Sequence, residues 1–243
     1  MTDLGSLDFS AIWKFREALA WGLLTTIWMG VVAFALAVPG GTLLALGRLY
    51  GPWWLRLPVL AFVDVIRFTP LLVQAVWIHF ALPALTGYST SATASGLVAL
   101  TLHVSAYACE IMRSGIQAIG KGQWEASRSL GLHRPATFRL VVLPQVWPIV
   151  MPPLAGAAVA TLKLTAILGI LAIDDLMKVA SRVNSFAFRP VEVFTVVALV
   201  YLLLGLLLQW GAGAVERRAA RARLRIAAPL PTDLRRQTVE AAT

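Results

Sequence analysis

The chain has 243 residues, 58% of them hydrophobic and only 14% charged, with a net charge of +9. A soluble domain of this length carries about a quarter charged residues, so too few are present here to coat a globule, and a soluble enzyme is excluded. A disulfide-stapled secreted domain is excluded too, because Cys109 is the single cysteine and borders an apolar run. The charges are clustered: no Asp, Glu, Lys or Arg occurs in residues 18–47, 68–109, 140–162 or 193–215. Each gap holds the roughly 20 apolar residues that cross a bilayer, and the second has room for two crossings.

Residues 1–17 carry Asp3 and Asp8 ahead of any basic residue, unlike a cleavable signal peptide, and are expected to form an extracytoplasmic segment. Residues 18–218 read as one all-α, polytopic membrane domain. Five spanning helices are expected, over about 19–46, 57–84, 92–112, 146–173 and 192–215. Trp13, Trp21, Trp53, Trp54 and Trp210 fall near span ends, as interface anchors do. An odd number of spans puts the termini on opposite sides. One side receives Arg48, Arg56, Arg113, Lys121, Arg128, Arg134, Arg139 and the tail arginines 217, 218, 221, 223, 225, 235 and 236. The other receives Lys14, Arg16, Lys178, Arg182 and Arg189. The side richer in Lys and Arg is cytoplasmic, so the N-terminus is expected outside and the C-terminus inside. The basic tail, 219–243, is expected to be partly disordered and to lie beside anionic lipid rather than bind nucleic acid.

A connection of about 30 residues joins the third and fourth spans, long for a plain turn. A short helix over 122–132 is expected within it. Gly122 starts it, Glu125 suits its positive end, Gly131 stops it and Pro135 prevents its continuation. Trp124, Ser127 and Leu130 recur at i, i+3, i+6 and are expected on one side, with Glu125 and Arg128 on another. The residues alone fit two readings equally: a knob for a groove on another protein, or a helix resting on lipid headgroups.

Two cations fall inside expected spans. An intramembrane cation costs about 2.5–3.5 kcal/mol on insertion scales unless it is paired or faces water. Asp64, at i−3 from Arg67, is the expected partner in a structural ion pair; the alternative is that Arg67 and Lys163 face a pathway and meet a substrate carboxylate. Gln74, seven residues after Arg67, is expected two turns along the same face as a further polar contact. Glu110 and Arg113 are expected to pair, and the small-residue stretch 155–158 permits close helix approach, either between two paired subunits or within one. His79 and His103 show no metal-ligand spacing, and no catalytic constellation is present. The segment 174–191 is expected as an external loop and a candidate docking surface.

The segment Glu125-Ala126-Ser127, Gly131 and Leu143-Pro144 resembles the EAA loop of ABC-importer permeases. The longer stretch from Ala106-Tyr107 through Glu110, Arg113 and Gly115-Ile116-Gln117 to Glu125-Ala126 resembles the polar amino acid (histidine/glutamine-type) subfamily. So do Gly22-Leu23 with Thr26, Arg67 through Gln74, and Leu162-Lys163-Leu164-Thr165. Two departures stand out. Ser127 replaces the second alanine of the triplet, and Lys163-Leu164-Thr165-Ala166 stands where the family usually has K-D-T-S, so an acid and a hydroxyl are missing.

The resemblance implies a type I importer permease in a bacterial inner membrane, with the coupling loop over about 120–144. It implies an ATPase-coupling set of Gly122, Trp124, Glu125, Ala126, Ser127, Leu130, Gly131, Leu143 and Pro144. The candidate substrate pathway is Arg67, Gln74, Lys163 and Thr165. No G-x-x-x-x-G-K-[ST] occurs, so ATP and Mg are expected on a partner ABC ATPase, with no cofactor or metal in this chain. A second permease subunit, identical or not, and an extracytoplasmic solute-binding protein complete the expected assembly. The expected substrate is a polar amino acid, or alternatively a derivative such as an opine, an ectoine-like compound or a sulfur compound. An ion-coupled secondary transporter is the competing class; it would need intramembrane acids, and Asp64 is the carboxylate set well inside an expected span.

Overall fold

A computed structural model describes the backbone of residues 8–226 and the side chains of residues 8–213. The first seven residues, the tail arginines' side chains and residues 227–243 lie outside that description, and with them most of the expected terminal segments. In chain order the helices are α1 (Ser10–Lys14), α2 (Arg16–Tyr50), α3 (Trp53–Phe68), α4 (Leu71–Val76), α5 (Leu82–Thr86) and α6 (Ala92–Gln117). Then follow α7 (Lys121–Ser129), α8 (Arg134–Thr137), α9 (Leu143–Leu164), α10 (Leu176–Ala187) and α11 (Pro190–Ile226). Two π-helical turns, Trp77–Ala81 and Phe138–Val142, and a 3₁₀ segment, Thr165–Leu171, link consecutive helices.

Four stretches are long and apolar enough to cross a membrane: Arg16–Tyr50, Ala92–Gln117, Arg134–Leu171 and Pro190–Gly213. The stretch over 57–84 is not the straight spanning helix expected. It is broken between Trp53–Phe68 and Leu71–Thr86, with a bend of 108°. Pro70 is the cause. It lacks an N–H for the carbonyl four residues back, and it forces Thr69 into an extended conformation (φ −99°, ψ 138°).

The centre of the fold is the crossing of α2 and α6. The buried face of α2 is Ala33, Ala37, Gly41 and Ala45, small residues every four positions, so two backbones can approach closely. A methyl group at Gly41 would lie 2.6 Å from the Ser105 carbonyl oxygen and 2.8 Å from the Cys109 nitrogen, both on α6. Gly41→Val should therefore force the helices apart and destabilise the fold by about 1–3 kcal/mol, measured as lost protease resistance in detergent. The small-residue stretch 155–158 is not closely approached at Gly156 by another helix of this subunit. A methyl at Gly156 meets no described atom within 4 Å, so Gly156→Ala should leave protease resistance unchanged.

The segment expected as a loop at 174–191 holds the amphipathic helix α10, which buries Leu176, Val179, Ala180 and Val183 against α2 and α11. Asp175, fully buried, caps it: its Oδ1 accepts from the Lys178 N–H at 2.9 Å. Among the described residues its Oδ2 is buried without a hydrogen-bond partner. Burial pushes the Asp175 carboxyl above its ordinary value of 3.8, outweighing the Lys178 and Met177 backbone N–H groups, which lower it. With the folded pKa above the unfolded one, the acid's contribution is greatest at low pH and is lost as pH rises through that window. Asp175→Asn keeps a good cap without the charge, so its melting temperature should vary less from pH 4 to neutrality than wild type. Asp175→Ala should cost about 1 kcal/mol through loss of the cap.

Candidate functional site

The helix expected over 122–132 is α7, Lys121–Ser129, and its stop follows from the backbone. Gly131 is left-handed (φ 76°), its N–H donates to the Arg128 carbonyl at 2.9 Å, and the Leu132 N–H donates to the Ser127 carbonyl at 3.0 Å. This paired closure needs a residue without a Cβ penalty at positive φ. Trp124 and Ser127 share a side as expected, but that side faces inward. Trp124 packs its ring 6.2 Å from Tyr50 at the end of α2, and Ser127 is buried with its hydroxyl donating to the Gln123 carbonyl. Leu130 does not join them; it is 80% exposed. The free face is Gly122, Glu125, Ala126, Ser129 and Leu130. The sequence periodicity therefore identified the anchor rather than the knob. A second tie fastens α7 to the next span: Gln145 Nε2 donates to Gln123 Oε1 at 3.2 Å. Leu143 and Pro144 open α9, where proline's missing N–H is tolerated in the first turn.

The cation at Arg67 is paired, but not with Asp64. Among the described residues its acid is Glu110 on α6, 3.8 Å away. Asp64 fails because the i−3 spacing does not by itself turn both side chains toward each other, whereas the α3–α6 contact brings Glu110 to Arg67. Glu110 also binds Arg48 of α2 through a short contact and Arg113 at 2.7 Å, as expected for the latter. One carboxylate thus joins three arginines from α2, α3 and α6. Among the described residues the Arg67 Nε is buried without a hydrogen bond, and its guanidinium lies 5.7 Å from the centre of the Tyr107 ring.

Gln74 does not extend the face of Arg67, because the helix breaks between them. Pro70 cannot donate to the Ile66 carbonyl, and Gln74 Nε2 does so instead at 2.7 Å, with a second bond to the Thr69 carbonyl at 3.0 Å. Gln74 therefore repairs the break. With its nitrogen so committed, its Oε1 faces His103 Nδ1 at 3.2 Å. Because an amide oxygen only accepts, His103 donates from Nδ1.

Between α6 and α9 lies a cavity of about 450 Å³ lined by His103, Tyr107, Thr161, Lys163 and Leu164 among others. Lys163 is exposed there. Thr165 is not part of it: it is fully buried and its hydroxyl donates to the Leu162 carbonyl at 2.8 Å. Two residues on from Lys163, Thr165 lies about 200° around the helix and so on its opposite side.

Residues 37–221 match the family model of the binding-protein-dependent transport system inner membrane component. The chain belongs to that family. The permease is 32% identical over 212 residues to the glutamine transport system permease protein GlnP of Escherichia coli K12, covering 87% of this chain and 97% of the relative. It is 35% identical over 170 residues to the arginine ABC transporter permease protein ArtQ of Haemophilus influenzae, covering 68% and 77%. The crystal structure of an amino acid ABC transporter with histidines superposes with a TM-score of 0.82 at 32% identity, covering 88% of the permease and 99% of that chain. Sequence reading of the permease missed the Glu110 hub, the Gln123–Gln145 tie and the cavity roles of His103 and Tyr107. Only the helix crossings bring those residues together. An acid flanked by apolar residues, with arginines near three helix ends, was the one signal available for the hub.

Proposed function

We propose that this permease is one membrane subunit of an ATP-driven amino acid importer, transmitting the motion of a separate ATPase through α7. The observation that carries this is the free face of α7, Gly122, Glu125, Ala126, Ser129 and Leu130, held rigidly on its other side by Trp124, Ser127 and the Gln123–Gln145 bond. A helix fixed to two spans and open on one face transmits a push as rigid-body motion rather than absorbing it. The N-terminus lies outside and the C-terminus inside, which the Lys and Arg distribution supports. A solute-binding protein delivers substrate to the outer side, where α10 and its Asp174–Arg182 pair are exposed. A second permease copy or homologue completes the pathway.

The passage in this subunit is the α6–α9 cavity. Lys163 takes the substrate carboxylate, with His103 and Tyr107 beside it; Gln74 and Thr165 hold helix geometry. Reconstitution of the permease with its ATPase and binding protein in proteoliposomes tests the whole reading. Uptake should require hydrolysable ATP, and uptake that persists on an ion gradient without ATP sinks it in favour of a secondary transporter.

A further inference from the structure

A second cavity, of about 460 Å³, lies where α7 meets the end of α2, and its charges are all of one sign. Trp124 and Arg128 come from α7, Arg134 and Phe138 from the segment after it, and Leu46 and Tyr50 from the last turns of α2. No acid stands among the lining residues, and both arginines are exposed. Among the described residues neither arginine takes part in an ion pair. Two guanidinium forks on one cavity, without a carboxylate between them, suit a phosphate group, which each can hold through paired N–H donors.

The rest of the lining indicates where that phosphate comes from. Leu46 belongs to the charge-free run 18–47, so the cavity adjoins the edge of the bilayer's apolar layer. Trp53 and Trp54, just after Tyr50, are 75% and 62% exposed, and Leu140, two residues past Phe138, is 64% exposed. Exposed tryptophans at a span end anchor in the headgroup region. A phosphate ion from water makes no use of Leu46 and Phe138, whereas a lipid's acyl chains do. The cavity also avoids the face offered to the ATPase: Trp124 and Arg128 both lie about 160° around α7 from Ala126.

We propose that this cavity binds the phosphodiester headgroup of an anionic phospholipid from the cytoplasmic leaflet, with phosphate on Arg128 and Arg134 and chains along Leu46 and Phe138. The lipid joins α7, α8 and α2 on the side opposite the free face, and so braces α7 against the push it transmits. This rests on α7 facing the cytoplasm, as proposed above. Lipid retention is measured apart from uptake, so failure of this site and failure of the importer reading are distinguishable.

The test uses the full permease–ATPase complex in nanodiscs of phosphatidylcholine mixed with phosphatidylglycerol, and native mass spectrometry counts the lipid retained on transfer to detergent. Wild type should retain phosphatidylglycerol over phosphatidylcholine by about tenfold. Arg128→Gln with Arg134→Gln should abolish most of that preference, and Arg128→Lys with Arg134→Lys should keep part of it. Both arginines are exposed, so the glutamine pair should melt with wild type in detergent. Arg56→Gln with Arg139→Gln removes the same charge from exposed positions outside the lining, and should change the preference by less than about twofold. An equal loss in that second pair, or no loss in the first, overturns the site. Binding of radiolabelled inorganic phosphate in phosphatidylcholine nanodiscs, lost in the glutamine pair, overturns the lipid as its source. Loss of the ATPase from the glutamine pair with lipid retention unchanged overturns the proposal in favour of an acidic surface on the ATPase.

Discussion

Replacing Glu110 with alanine is expected to cost about 3 kcal/mol and to deplete folded permease from the membrane, because three arginines lose their shared carboxylate at once. Breaking a buried ion pair by removing one partner costs about 3–5 kcal/mol, since a desolvated charge is left alone. The lower end applies here, because Arg67 keeps 34% side-chain exposure and Arg113 27%. The ordering of variants is more diagnostic than any single value. Glu110→Gln preserves shape and an acceptor but not charge, so it should fall between wild type and alanine. Adding Arg48→Met to Glu110→Ala removes one of the orphaned cations and should recover part of the loss. Thermal unfolding in mild detergent would show this series, and equal melting temperatures for wild type and Glu110→Ala would remove Glu110 from its place at the junction of α2, α3 and α6.

Gly131→Val is expected to leave the permease folded and inserted while reducing ATP-driven uptake more than tenfold. A residue with a Cβ in the left-handed region costs roughly 1–2 kcal/mol, and a β-branched one is less tolerated still. That is too little to unfold a five-span bundle, but it acts on the last turn of α7. The bonds from Gly131 to Arg128 and from Leu132 to Ser127 would open, and the free face ending in Leu130 would no longer be held in one orientation. Gly131→Asn should keep most uptake, since asparagine visits this conformation. The readout is uptake per ATP hydrolysed in proteoliposomes. Wild-type coupling in Gly131→Val would refute transmission through this helix end.

The two experiments separate two kinds of information. Gly131 was legible in the sequence because its cause is local: a glycine, a helix-length run before it and a proline after it can be read in order. The broken fifth span was half legible in the same way. Pro70 is visible, but a proline in an apolar run either kinks a helix or ends it, and the choice depended on Gln74 finding the orphaned Ile66 carbonyl. The partner of Arg67 was not legible at all. The local candidate, Asp64, lies three residues away in the chain, and the actual one, Glu110, belongs to a different helix.

By itself the sequence determined that the chain is a membrane protein with several apolar spans, a likeness to ABC-importer permeases and a short helix in the long connection after residues 92–112. Charge-free runs, basic loops and helix stops are properties of neighbouring residues, and a bilayer or a backbone reads them locally. The tertiary structure alone decided which face of α7 is free, which carboxylate neutralises Arg67, and that Lys163 lines a cavity while Thr165 does not. Those outcomes depend on how helices cross, and the crossing of α2 and α6 is set by small residues whose meaning appears only when the opposing backbone is in place.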